Sequence, residues 1–445
     1  MNNKKIYFWS LSVSLGGFLF GMDTALISGV ERTIQNLWQL SDAMTGQVVA
    51  MALYGTVIGA LLGGMPAQYL GRKKALFIIA LIFLISAIGS ALAPDVWSLM
   101  FFRFIGGLSV GASSVVAPMY IAEISPTEKR GQLTALFQFN LVLGIMIAYF
   151  SNWLIGANAP EAWRWMLGVE AFPALLFAIM VLVVPESPRW LVLKKGDESE
   201  ALRILNIIDP SSAEKSLFDI KASKVHKRET GLKEFFSGRY NLPIMLAFLF
   251  AFFNQASGIN AVIYYAPRIF ESSGMAASSA LLSSVGIGFV NIIFTMLGLA
   301  LIDRMGRRFL MYIGSLGYII SLSLVAFVFT NDAISGTYLL PLLLFVFIAS
   351  HAIGQGAVIW VFISEIFPNK VRSWGNSLGC GTHWVFAAII AGNFPYVAGK
   401  FGQAPIFAFF AFMMVLQLLF VWKMMPETKG ISLEEIEKRM VKKSE

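Results

Sequence analysis

Charge is scarce in this chain. Only 13% of its 445 residues are charged, against about 25% in a soluble globular protein, which excludes an ordinary water-soluble enzyme and a charge-rich disordered chain. Cysteine is nearly absent. Cys380 stands alone and cannot form an intramolecular disulfide, and with His226, His351 and His383 it shows no zinc-ligand spacing beyond the adjacent Cys380/His383 pair. Proline, with 16 residues, is too rare for a collagen-like or proline-rich chain. What remains is apolar: 57% of the residues are hydrophobic, including 38 phenylalanines. At roughly 20 residues for each membrane-spanning helix, that supplies about twelve spans with little left for a soluble domain. The chain reads as an all-α polytopic membrane protein.

Apolar runs lie near residues 6–30, 48–67, 76–93, 97–121, 132–155 and 165–184, and again near 242–270, 280–302, 309–330, 338–363, 377–398 and 404–425. The first is longer than the core of a signal peptide and carries Asp23 and Gly16-Gly17, so it is read as a retained span. The expected domains are a six-helix bundle over 1–185, a polar linker with short helices over 186–240, a second bundle over 241–426 and a polar tail over 427–445. A net charge of +8 would suggest nucleic acid in a soluble chain. Here all Lys and Arg except Arg32, Arg103, Arg164, Arg268 and Lys400 fall on one side of the predicted spans. The positive-inside rule then places both termini in the cytoplasm of a multi-pass protein of the cell inner membrane, so the basic balance serves topology and lipid headgroups, with no nucleic-acid partner expected.

The loops repeat. Gly71-Arg72-Lys73-Lys74, between spans 2 and 3, matches Gly306-Arg307-Arg308, between spans 8 and 9, with Gln68 standing where the second copy has Asp303. Glu123…Arg130 after span 4 matches Glu365…Arg372 after span 10, with the same spacing. Two duplicated six-span halves point to a transporter. Gly55-x3-Gly59-x3-Gly63 and Gly107-x3-Gly111 set small residues on one helix face, which reads as close helix packing. Ser187-Pro188 and Ser432-x-x-Glu435 read as helix starts.

Further motifs occur in order: Gly17-Phe-Leu-Phe-Gly-Met-Asp23 through Gly29 in span 1, Pro185-Glu-Ser-Pro-Arg-Trp-Leu191 after span 6, Gln255-Ala-Ser-Gly-Ile-Asn260 with Tyr264-Tyr265 in span 7, and Pro426-Glu-Thr-Lys-Gly430 after span 12. Together with both loop repeats they resemble the sugar porter branch of the major facilitator superfamily over essentially the whole chain. The resemblance implies two pseudo-symmetric six-helix bundles, with Gly71, Arg72, Glu123, Arg130, Asp303, Gly306, Arg307, Glu365 and Arg372 forming a cytoplasmic gate that latches the two halves. A guanidinium at these loops can reach Glu123, Glu365 or the carbonyls at helix ends; setting topology alone is the other reading.

Ionisable residues deep in a span cost about 2.5–3.5 kcal/mol each on insertion scales, and three stand out: Asp23, Arg103 and Glu170. The resemblance assigns Asp23 to proton coupling with Arg103 as its partner, where passive relatives have Asn; a static charge pair is the alternative. Glu170 fits either a coupling carboxylate or a structural acid facing the bundle. A sugar needs amides at several angles and an aromatic plate. The resemblance gives Phe20, Gln138, Asn254, Gln255, Asn260, Tyr264, Asn291, Trp360, His383 and Trp384 as binding residues. Asn254 stands where many relatives have Gln, and Gly356-Ala357 replaces a frequent Gly-Pro. His383 takes a position usually held by Gln or Asn, which raises fructose as a candidate, or serves as a neutral bridge between helices.

The expected function is import of a monosaccharide (hexose, pentose or inositol) with a proton by a monomeric carrier working by alternating access. The proton is the coupling ion, and no cofactor or metal is expected. A passive facilitator is the alternative within the class. A sugar sensor is the alternative from another class, against which the tail of about twenty residues speaks. No nucleophile, base and oxyanion donor stand together outside the spans, so the protein is not expected to be an enzyme.

Overall fold

The computed structural model describes residues 3–156, 161–222, 232–331, 338–368, 370–431, 435–436 and 440. Among them every regular element is helical. Eleven segments are long and apolar enough to cross a bilayer: Lys4–Gly29, Asp42–Leu62, Arg72–Ala91, Val96–Glu123, Arg130–Ile155, Ala162–Val183, Asn241–Ser272, Ala277–Met305, Arg307–Val328, Leu339–Ile366 and Gln403–Lys423. The twelfth long helix, Arg372–Phe401, has 30 residues. Its Gly375, Asn376, Gly379, Gly381, Thr382 and His383 dilute its apolar character. In chain order these are spans 1 to 12, with Arg372–Phe401 as span 11. Among the described residues the fold is all-α, built on these twelve long helices.

Observed ends depart from the hydropathy limits by several residues. Span 2 begins at Asp42 and stops at Leu62, and Gly64–Leu70 forms a separate short helix. Backbone hydrogen bonding carries a helix through polar end residues that hydropathy discounts. Three spans are broken. Span 6 is interrupted at Val169 and Glu170, between Ala162–Gly168 and Ala171–Val183. Span 7 breaks at Ser257 and Gly258, and is kinked again at Tyr265, two residues before Pro267. Span 10 contains a π-helical turn, Ala352–Gly356.

Contacts divide the chain into two compact units. The first comprises Met1–Leu26, Met51–Ser151 and Glu161–Arg228; the second comprises Ile27–Ala50, Asn152–Pro160 and Glu229–Glu445. The glycine stripes of the first unit bring spans 2 and 4 into backbone contact. A methyl group on Gly107 would lie 1.9 Å from the Ala52 carbonyl oxygen, and one on Gly59 would lie 2.2 Å from that of Leu108. Small residues are required there because nothing larger than hydrogen fits.

Beyond span 6, Ser187 caps a short helix, Pro188–Trp190, by accepting the Trp190 N–H, with proline at its first turn. The helix Glu198–Ile208 follows, with the Asp197 carboxylate accepting the Glu200 N–H at 3.1 Å. It buries Ala201, Ile204, Leu205 and Ile208, the i, i+3, i+4, i+7 pattern of one helix face. Ile204 and Ile208 join the same hydrophobic core as Leu76, Phe83, Tyr120 and Phe177, so this linker helix is part of the first unit. The proposed start at Ser432 lies outside the described residues.

Candidate functional site

The three ionisable residues singled out in the spans come together in the first unit. Asp23 on span 1 faces Arg103 on span 4, with Nη1 3.8 Å from Oδ1: an ion pair, but too long for a hydrogen bond. Glu170 sits at the break of span 6 and interacts electrostatically with both. All three are buried, Arg103 at 2% exposure. Arg103 Nε and Nη2 and Glu170 Oε1 have no hydrogen-bond partner among the described residues. The cluster therefore holds two carboxylates and one guanidinium in a low-dielectric interior. One bound proton makes it electrically neutral, and a buried charge without full compensation is strongly unfavourable.

The second unit assembles the amides. The break of span 7 at Gly258, where φ is +81°, lets Asn260 Nδ2 fold back to Gln255 Oε1 at 2.9 Å, five residues earlier. Gln255 Nε2 reaches Asn254 Oδ1 at 2.9 Å and stands 3.2 Å from the ring nitrogens of His383. Asn254 Nδ2 continues to Gln355 Oε1 at 3.3 Å, in the π-helical turn of span 10. His383 lies between two indoles, its ring centroid 5.1 Å from Trp360 and 4.7 Å from Trp384. Trp384 is buried, whereas Trp360 is 42% exposed and keeps an accessible ring. Tyr264 is buried on the same broken helix. Asn291 is also buried, and its bond is to Thr295. Phe20 and Gln138 belong to the first unit and are half-buried there. The structure thus joins Asn254, Gln255, Asn260, His383 and the two tryptophans directly. Donors and acceptors beside an open aromatic face suit a polyhydroxylated ligand with an apolar C–H face.

The duplicated loops fold into duplicated clamps, each inside one unit. In the first, Arg72 donates from Nε and Nη2 to the two oxygens of Glu123 at 2.9 and 3.0 Å, and from Nη1 to the Ala67 carbonyl. In the second, Arg307 pairs the same way with Glu365 at 3.2 and 2.8 Å and reaches the Ile302 carbonyl. Such bidentate pairing fixes orientation as well as charge. Asp303, 3.1 Å from Arg307, is the extra acceptor that Gln68 does not supply as a side chain; the Gln68 carbonyl instead accepts Trp190 Nε1. Arg130 is exposed, and Arg372 donates to the Phe367 carbonyl, so neither pairs with the glutamate seven residues before it.

Sequence reasoning missed the second carboxylate of each clamp. Glu186 accepts the backbone N–H groups of Arg72 and Lys73, and Glu427 those of Arg307 and Arg308. Ser187 and Thr428, next in sequence, each donate a hydroxyl to Glu123 or Glu365 at 2.6 Å. The signal was present, since Pro185-Glu186-Ser187 and Pro426-Glu427-Thr428 repeat the same order. Burial raises Glu186 above its ordinary range, with the N–H bonds offsetting only part of this. At Glu427 burial acts in the same direction, but four backbone N–H bonds outweigh it and the carboxyl is lowered. Also missed was Arg268, which donates to Glu31 at 2.8 Å and to Gln35 within the second unit. Gln355 and Gln417 went unnoticed because a lone amide in a span reads as helix-to-helix glue.

Residues 9–440 match the family model described as sugar (and other) transporter. Over 443 residues the chain is 39% identical to the probable metabolite transport protein CsbC of Bacillus subtilis, covering 98% of this chain and 94% of that one. It is 38% identical over 442 residues to the arabinose-proton symporter of the same organism, with 97% and 94% covered. Among solved structures, the inward open conformation of the xylose transporter XylE from Escherichia coli superposes with a TM-score of 0.86 at 33% identity, covering 98% of this chain and all of that one.

Proposed function

The chain belongs to the sugar transporter family of the major facilitator superfamily, and on that premise we propose that it imports a monosaccharide together with a proton by alternating access. The observation that carries this reading is the Asp23–Arg103–Glu170 cluster. Its two carboxylates and one guanidinium leave an excess negative charge that a single proton removes. A loose 3.8 Å pair with unused donors gives up little when it opens, and opening leaves the carboxylates more in need of a proton. Proton uptake is thereby tied to conformation. A passive carrier has no use for so unfavourable a cluster.

The amides of span 7, His383 and the open ring of Trp360 form the sugar-recognition part. Names of relatives, an arabinose-proton symporter and a xylose transporter, support a pentose or hexose as the substrate; His383 keeps fructose in the set. In this reading the proton is the coupling ion, no cofactor takes part, and the carrier is a monomer in the inner membrane with both termini cytoplasmic, as the basic loops favour.

The test is uptake of radiolabelled xylose, arabinose, glucose, galactose, fructose and inositol into proteoliposomes. At least one sugar accumulates above equilibrium when an inward proton gradient is imposed, and a protonophore abolishes the accumulation. Asp23→Asn retains sugar exchange at equilibrium but loses accumulation. Undiminished accumulation by this variant overturns symport. Equilibration without accumulation by the unaltered protein identifies a passive facilitator, and binding with no movement identifies a sensor.

A further inference from the structure

The amides at the recognition site do not end there. Beyond Asn254, Gln355 Nε2 donates to Gln417 Oε1 of span 12 at 2.6 Å, and Gln417 Nε2 reaches Ser315 Oγ of span 9 at 2.8 Å. A single hydrogen-bonded chain therefore runs Asn260–Gln255–Asn254–Gln355–Gln417–Ser315. The whole chain is buried: Asn260 is 9% exposed, Asn254 2%, Gln255 and Gln355 1%, and Gln417 and Ser315 0%. The π-helical turn at Ala352–Gly356 is what swings Gln355 into line, and such turns occur most often at functional positions.

A primary amide is an acceptor at one end and a donor at the other. In a chain of amides each oxygen faces the next nitrogen. Turning one internal amide over sets oxygen against oxygen on one side and nitrogen against nitrogen on the other. Either mismatch leaves buried polar atoms unpaired, so all members keep one common direction. The pattern of donors and acceptors that Asn254, Gln255 and Asn260 offer a ligand is thus fixed partly from spans 9 and 12, away from the ligand itself.

Resting on the sugar-transport reading above, we infer that Gln417 and Ser315, acting through Gln355, are positioning residues that set the stereochemical selectivity of the sugar site. Sugar epimers differ only in where a hydroxyl stands, and a buried site discriminates between them through polar groups left unpaired by the wrong one. An amide free to turn over can satisfy both epimers; an amide locked in one direction cannot.

The experiment measures sugar binding by intrinsic tryptophan fluorescence on the purified full chain, using xylose, arabinose, glucose and galactose, for the unaltered protein, Gln417→Met, Ser315→Ala and Ser315→Thr, with thermal melting run alongside. Gln417→Met is expected to weaken the best sugar about 5–10-fold, the worth of one net hydrogen bond, and to bring its epimer to within about twofold of it. Ser315→Ala shifts selectivity in the same direction, and Ser315→Thr, which keeps the hydroxyl, restores it. Unchanged epimer ratios in both Gln417→Met and Ser315→Ala overturn the inference, whether affinity is kept or falls uniformly with a lowered melting temperature, since a merely structural role predicts that result. If the unaltered protein binds none of the sugars, the sugar-transport reading itself falls, and this inference with it.

Discussion

At the scale of single residues, the two clamps show how one backbone angle fixes a side-chain network. Gly71 and Gly306 have φ of +96° and +89°, and a methyl group at these positions would meet Glu186 Oε2 at 2.3 Å and Glu427 Oε2 at 2.7 Å. Each glycine frees the following N–H groups to point at that carboxylate. Alanine at either position adds backbone strain of about 1–3 kcal/mol and displaces the acceptor. Gly71→Ala and Gly306→Ala should each lower the melting temperature of the purified protein, while Gly131→Ala, which meets nothing within 4 Å, should not; equal melting of all three would remove the argument. The glycine-arginine pair was legible as a motif. That its second carboxylate partner is Glu186 or Glu427 was not, because more than a hundred residues separate the two.

At the scale of elements, the broken helices are where the polar groups converge. An unbroken span 7 would point Asn260 about a turn and a half away from Gln255, whereas the turn at Gly258 closes them to 2.9 Å. Gly258→Ala would force the left-handed residue out of shape and press its methyl group to 2.4 Å from the Phe410 ring. Sugar affinity should fall about tenfold or more, the worth of 1.4 kcal/mol or above, while the helix content measured by circular dichroism stays unchanged; intact affinity would mean that the break does not shape the site. Spans 2 and 4 illustrate the opposite element, one that must stay uninterrupted and bare. Gly107→Val places its first carbon on the Ala52 carbonyl, so a loss of about 1–3 kcal/mol or more is expected, seen as a lower yield of folded protein by size-exclusion chromatography. The glycine stripes were readable from spacing alone. The breaks of spans 6 and 10 were not, since their apolar runs continue through them.

At the scale of the whole molecule, the repeat is close in geometry but not in electrostatics. Both clamps have the same bidentate arginine, a hydroxyl donor to its carboxylate partner, and a second carboxylate that accepts backbone N–H groups. Yet the half-buried Glu186 is raised by desolvation and Glu427, held by four N–H groups, is lowered. The signs lead to opposite linkage. A raised carboxyl takes up its proton above the ordinary value of 4.5, so ionised Glu186 opposes folding near neutrality and that opposition is relieved by acid. A lowered carboxyl contributes stability that is present above its unfolded value and lost as pH falls through its folded one. Hydrogen exchange should therefore show the Arg72 and Lys73 amides losing protection at a pH above 4.5, as their acceptor is protonated, with the Arg307 and Arg308 amides keeping theirs until the pH is below 4.5. Simultaneous loss at both loops would contradict the asymmetry.

From the sequence alone it follows that this chain lives in a bilayer, that it is helical, that it is made of two copies of one six-span plan, and that Asp23, Arg103 and Glu170 stand out as ionisable residues within its spans. Those are consequences of composition, of periodicity and of the cost of charge in hydrocarbon, all of which act locally along a chain. Folding is what brings the three charges together, adds Glu186 and Glu427 to the clamps, and extends the span 7 amides through Gln355, Gln417 and Ser315 across four spans. A hydrogen bond depends on direction over about 3 Å, and residues far apart in sequence acquire that direction only when helix breaks and glycine contacts have set the helices in place.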